Sequence, residues 1–106
     1  MGKSVTFRSR PLLDLCHELP CMAGFDHVCN GPSVPAHSNQ LKHGRGHGHK
    51  AADWAVAATC PEAHSFIDGV KGGWSKEDKH AEWERAHIAT MDYLFTNKLV
   101  IPHRRG

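Results

Sequence analysis

No run in this sequence approaches the roughly 18 consecutive apolar residues of a membrane-spanning helix, so no membrane association is expected. Charges at Lys3, Arg8, Arg10, Asp14 and Glu18 interrupt the first segment, and no secretory signal is expected there. The six residues from Met1 to Thr6 fit a short acylation pattern, which is read as coincidence. With 10 glycines and 6 prolines the chain cannot be a coiled coil, and it shows no internal repeat. Apolar residues are not scarce, at 40%, against 23% charged, which excludes a mostly disordered chain. A length of 106 residues suits one domain with a single modest core.

Acidic side chains are missing between Asp26 and Asp53. That stretch carries Lys42, Arg45 and Lys50 together with His27, His37, His43, His47 and His49. An acid-free, glycine-rich basic segment suits a polyanionic partner; a plain solvated loop is the alternative. The whole chain has 10 histidines, the side chain that both ligates metals and titrates near neutrality. The four cysteines are Cys16, Cys21, Cys29 and Cys60. Without a signal peptide a reducing, cytoplasmic setting is expected, and there metal binding is a better reading than disulfides.

Ser9-Arg10-Pro11 places a hydroxyl cap and a first-turn proline at a helix start. Leu12, Leu13, Cys16 and Leu19 follow at helical spacing up to Pro20. Residues 21–33 read as a tight knuckle or hairpin. Val34 to His37 suits a short strand, which Pro35 confines to a sheet edge. Residues 38–50 are a loop by composition, and 51–60 fit either helix or strand. Pro61 and Glu62 open a helix that ends near Gly69. Residues 70–74 form a turn, and Ser75 caps a long last helix over about 75–97. Its core stripe is Trp83, His87, Thr90, Met91 and Leu94.

Gly44-x-Gly46-x-Gly48 is not a phosphate loop: His49 stands where the dinucleotide fingerprint needs glycine, and no Lys-Ser/Thr pair follows. His64 and Asp68, four residues apart, share one helix face and can chelate one divalent ion. The same spacing also describes an ordinary surface hydrogen bond. Cys21 and Cys29 are too far apart for a simple knuckle, and each cysteine taken alone could be a buried small hydrophobe.

The order of these pieces carries more than any one of them. Two cysteines are followed by a strand ending in histidine, a basic loop, and Cys60-x-x-x-His64 opening a helix. This resembles the HNH, or ββα-metal, endonucleases, and is most similar to a family of small HNH nucleases carried by lambdoid phages and prophages. The matching stretches are Leu12-Leu13-Asp14-Leu15, Pro20-Cys21, Val28-Cys29-Asn30-Gly31 and Ala36-His37-Ser38-Asn39-Gln40. His43-Gly44-x-Gly46-x-Gly48-x-Lys50-Ala51, Asp53, Cys60-x-x-x-His64 and Ile67-Asp68 continue the match, which spans about residues 8–98.

The resemblance implies a small α+β fold: a ββα-metal finger with an N-terminal helix and a long C-terminal helix. It implies a metal-dependent endonuclease acting on DNA in phage DNA metabolism or recombination. His37 would be the general base, with Asp53 in the slot that ties down the loop between the strands. His64 and Asp68 would hold the catalytic ion, Mg or Mn by the chemistry, Zn or Ni by affinity. Lys42, Arg45 and Lys50 would meet the DNA backbone. In the family four cysteines hold a structural zinc. Here Ala63 replaces one of them, which leaves Cys21, Cys29 and Cys60 in register. His27, two residues before Cys29, is the candidate substitute, and Cys16 is the other. Ala36 stands where a second metal ligand is often found and cannot ligate. These departures keep a second expectation open: a zinc-stabilised module that binds nucleic acid without cutting it.

Overall fold

A computed structural model of the protein describes residues 7–38, 40, 51–69 and 71–100. It is a small α+β fold of three α-helices and a two-stranded antiparallel sheet. Helix α1 spans Arg10–Cys16, strand β1 Val34–His37, strand β2 Val56–Thr59, helix α2 Pro61–Asp68 and helix α3 Lys76–Thr96, with a 3-10 turn at Lys71–Gly73 before α3.

The helix starts follow their caps. Ser9 Oγ accepts from the Leu12 N–H at 3.3 Å, and Ser75 Oγ from the Asp78 N–H at 3.0 Å. Glu77 and Asp78 add negative charge to the positive end of α3. Helix α1 stops at Cys16, one turn short of the expected end at Pro20. The N–H groups of His17, Glu18 and Leu19 each bond three residues back, tightening the chain as it approaches the proline. Leu19 nevertheless reaches the core.

In the ambiguous segment 51–60, residues 51–55 turn without regular structure and Val56–Thr59 is a strand, buried throughout. It runs antiparallel to β1, with Val34 opposite Thr59 and His37 opposite Val56. Pro35 lies opposite Ala58. The Ala58 N–H donates to Thr90 Oγ1 at 2.9 Å, and its carbonyl accepts from the Met22 N–H at 2.8 Å. Both groups of Ala58 therefore point away from β1, where Pro35 has no N–H to offer. The outer edge of β2 is satisfied by α3 and the 21–33 segment rather than by another strand.

One face of the core gathers Ala51, Ala55, Ala57, Ile67, Trp83 and Ala86, and the other Cys16, Leu19, Val56, Ala58 and Leu94. So many buried alanines let α3 lie close on β2. Of the expected α3 stripe, Trp83, Thr90 and Leu94 are buried, with Ala86 beside them, while His87 and Met91 are half-buried. Cys16 is fully buried among leucines, and burial pushes its thiol up to about 11. No helix is long and apolar enough to cross a membrane among the described residues.

Candidate functional site

The 21–33 segment has no regular structure, yet it brings chemistry together. Cys21 and Cys29 Sγ each lie 3.5 Å from His27 Nε2. Cys60, at the junction of β2 and α2, completes the group, and the four ligand atoms all lie within 4.8 Å of one another. Tetrahedral zinc with Zn–S of about 2.3 Å and Zn–N of about 2.0 Å separates its sulfur and nitrogen ligands by about 3.5 Å. The observed spacing therefore suits a structural Cys3His site, although the donors alone do not identify the metal.

The surroundings favour the ligating forms. His27 Nδ1 donates to the Phe25 carbonyl at 2.8 Å, which leaves the Nε2 lone pair facing the sulfurs. Cys60 caps α2, its sulfur accepting from the Ala63 N–H at 3.4 Å. Burial pushes the Cys60 thiol up, but the N–H groups of Ala63 and Asn30 and the thiols of Cys29 and Cys21 outweigh it and bring it down to about 7. Cys29 goes the other way, to about 11, because it donates to Cys60. The Cys60 N–H donates in turn to Cys21 Sγ at 3.2 Å. Of the two substitutes that the sequence leaves open for the missing cysteine, the fold brings His27 into the group and buries Cys16 elsewhere.

The segment is docked on α3 by a short clamp. Glu82 accepts the Gly24 N–H at 2.7 Å and pairs with Arg85 at 2.7 Å, while Arg85 donates to the Met22 carbonyl at 2.9 Å. A Cβ at position 24 would meet the Arg85 guanidinium, so a larger residue there would push that flexible side chain out of the clamp. Phe25 then packs edge-on to Phe66 and Trp74, at 5.3 and 4.7 Å between ring centroids.

A second polar group sits at the opposite end of the sheet. His37 Nε2 meets Asp53 Oδ1 at 2.9 Å. Asp53 is only 4% exposed. Its other oxygen accepts the Ser9 N–H at 2.7 Å, and Arg8, 45 residues away in sequence, reaches Oδ1 at 3.2 Å. Burial pushes the Asp53 carboxyl up, yet the donors His37, Ser9 and Arg8 hold it below the usual carboxylate range. Asp53 thus orients the histidine and ties down the chain before α1. Nothing local in the sequence marks Arg8 for this; the contact exists only once both segments pack against the β1–β2 end.

His64 and Asp68 face each other on α2, with Nε2 and Oδ2 3.6 Å apart, and both are partly exposed. Among the described residues, the Cys21, His27, Cys29 and Cys60 set is the one gathering of three or more ligand side chains. His37 therefore does not close on His64 and Asp68 as a third direct ligand. Lys42, Arg45 and Lys50, expected to meet DNA, lie outside the described residues. Ala36 is buried on β1 and accepts a 2.8 Å bond from Trp83 Nε1 at its carbonyl. Compared with protein-family models, with curated proteins and with solved structures, the chain matches none.

Proposed function

We propose that the protein is a small metal-dependent endonuclease of the ββα-metal, or HNH, type, stabilised by a structural zinc and hydrolysing DNA phosphodiester bonds inside a bacterial host, in phage DNA metabolism or recombination. The observation that carries this reading is the His37–Asp53 contact, at the end of a strand–strand–helix unit whose helix bears His64 and Asp68. Hydrolysis needs a base for water, charge neutralisation at the phosphate and help for the leaving oxygen. With Nε2 held by Asp53, His37 Nδ1 is the nitrogen that takes the proton from water, and the buried carboxylate stabilises the resulting imidazolium. A divalent ion held by His64 and Asp68, leaving most of its positions to water and phosphate, would neutralise the charge on the phosphate oxygens. The acid-free run from Lys42 to Lys50 supplies the positive charge for a nucleic-acid backbone.

A plasmid-nicking assay with added Mg or Mn tests the reading. His37→Ala should lose on the order of 10²–10⁴ in rate while duplex affinity stays near wild type, because a base acts in the transition state and little in binding, with a stability loss of about 1–2 kcal/mol for the bond taken from Asp53. Equal nicking by wild type and the variant overturns it.

The buried Ala36 and the two-ligand set on α2 favour one second reading: a zinc-stabilised module that holds DNA without cutting it. Salt-sensitive retention of duplex DNA with no nicking in any metal selects that reading.

A further inference from the structure

Helix α3 turns one face to the core through Trp83, Ala86, Thr90 and Leu94. Ala81, Ile88 and Phe95 recur every seven residues on the opposite face. All three are exposed, Ile88 at 64% and Phe95 at 47%, and Leu99, just past the helix, is 44% exposed. Single exposed apolar side chains are ordinary, whereas a stripe of them along one helix marks a surface for a partner. None of them takes part in the His37–Asp53 pair or the cysteine group.

The stripe is complementary to itself when reversed. Ala81 and Phe95 stand seven residues on either side of Ile88. When two α3 helices lie antiparallel about a twofold axis at Ile88, the small residue of one meets the large residue of the other. Ala81 also borders, with Trp74 and Arg85, a cavity of about 400 Å³, which has room for a ring. The charges obey the same axis. Arg85, three residues before Ile88, meets Asp92, four after it, and both lie on the same side of the stripe. Glu77 in the first turn, eleven before, meets Lys98 just past the last turn, ten after. All four are exposed. Arg85 holds Glu82 and the Met22 carbonyl through Nε and Nη2, and its Nη1 has no partner among the described residues. A parallel pair would instead set each of these charges against its own copy and align the two helix dipoles.

We propose that the exposed face of α3 is a homodimer interface, on which a second copy of this chain packs antiparallel with Ile88 against Ile88 at the twofold axis. Such an interface uses the same patch on both copies, which is the property that the reversed stripe has. The proposal goes beyond the nuclease reading and does not rest on it, since it uses neither His37 nor the residues of α2.

The test is sedimentation equilibrium of the full chain over about 5 to 500 µM, which spans weak to moderate Kd values. A phosphine reductant keeps the exposed Cys29 from linking copies. Wild type should approach the mass of two chains at the upper end of that range. Ile88→Glu sets two carboxylates against each other at the axis and should keep the single-chain mass throughout. The site is exposed, so the melting of this variant should match wild type. Phe95→Ala should weaken the dimer at least about tenfold. Glu77→Lys and Lys98→Glu should each weaken it by about three- to tenfold. The double variant should recover the wild-type Kd, because antiparallel pairing puts the exchanged charges opposite each other again. A wild type with single-chain mass at every concentration overturns the proposal. So does a dimer left unchanged by Ile88→Glu or by Phe95→Ala, or a double variant no tighter than the two single ones.

Discussion

At the Val34/Thr59 end of the sheet, Cys60 faces a segment with little backbone structure of its own; at the His37/Val56 end, Asp53 is wrapped by three donors from two parts of the chain. The first end is exposed, with Val28 81% accessible, and Met22 is the residue in it that bonds back to β2. Its thiols share hydrogen bonds with one another and with His27, an arrangement that a metal would replace with stronger bonds. At the second end Asp53 is buried and both its oxygens accept from protein donors. A small domain can thus tie down one corner with an ion and the opposite corner with a buried carboxylate.

Breaking the Cys21, His27, Cys29 and Cys60 group should be the largest blow to this contrast. Cys60→Ser should release the metal and cost about 4 kcal/mol, the order lost when a ligand at a thousand times its Kd no longer binds. Elemental analysis and thermal melting check it. A variant that melts like wild type, from a wild type without bound metal, would mean that the first corner holds itself.

Asp53→Asn tests the second corner, with an expected loss of about 2 kcal/mol by urea denaturation, since Arg8 and His37 lose their charged acceptor. Nicking should fall with it, because His37 is no longer oriented. The same residue sets an acid limit. Its folded pKa lies below the unfolded value of about 3.9, so its contribution is fully present above that value and fades as pH falls through the folded pKa. Between pH 5 and pH 2 the asparagine variant should therefore lose less stability than wild type. Parallel acid curves for the two would remove Asp53 as the anchor.

Asp68→Asn should have the smallest effect on the fold. The pair with His64 is partly exposed, and stability should change by no more than about 0.5 kcal/mol. Metal-dependent nicking should nevertheless fall at least about tenfold, with metal affinity falling in step. A stability loss as large as that of Asp53→Asn would make the pair a structural bond and not a metal site.

Much of this architecture is legible along the chain. Ser9, Pro11, Pro61 and Ser75 mark helix starts by local chemistry that needs no partner: a hydroxyl that accepts a free N–H, and a ring already at helical φ. The extent of α1 was less legible, because a last turn that tightens before Pro20 keeps Leu19 buried while leaving the helix. Segment 51–60 could not be assigned from its alanines, which favour helices in isolation. Burial between β1 and α3 makes Val56–Thr59 a strand, since small side chains are what that narrow space admits.

The sequence by itself determined the element order, the caps and the set of residues able to ligate or titrate, because these depend on residue type and near neighbours. Only the tertiary structure decided between His27 and Cys16, which turns on which side chain the 21–33 segment aims at Cys60. It alone brought Arg8 to Asp53 across 45 residues and Trp54 to His87 of α3, contacts between segments whose separation leaves no periodicity to read. Hydrogen bonds and ring contacts act over a few ångströms, so distant residues can be paired only after the core has packed and fixed their positions.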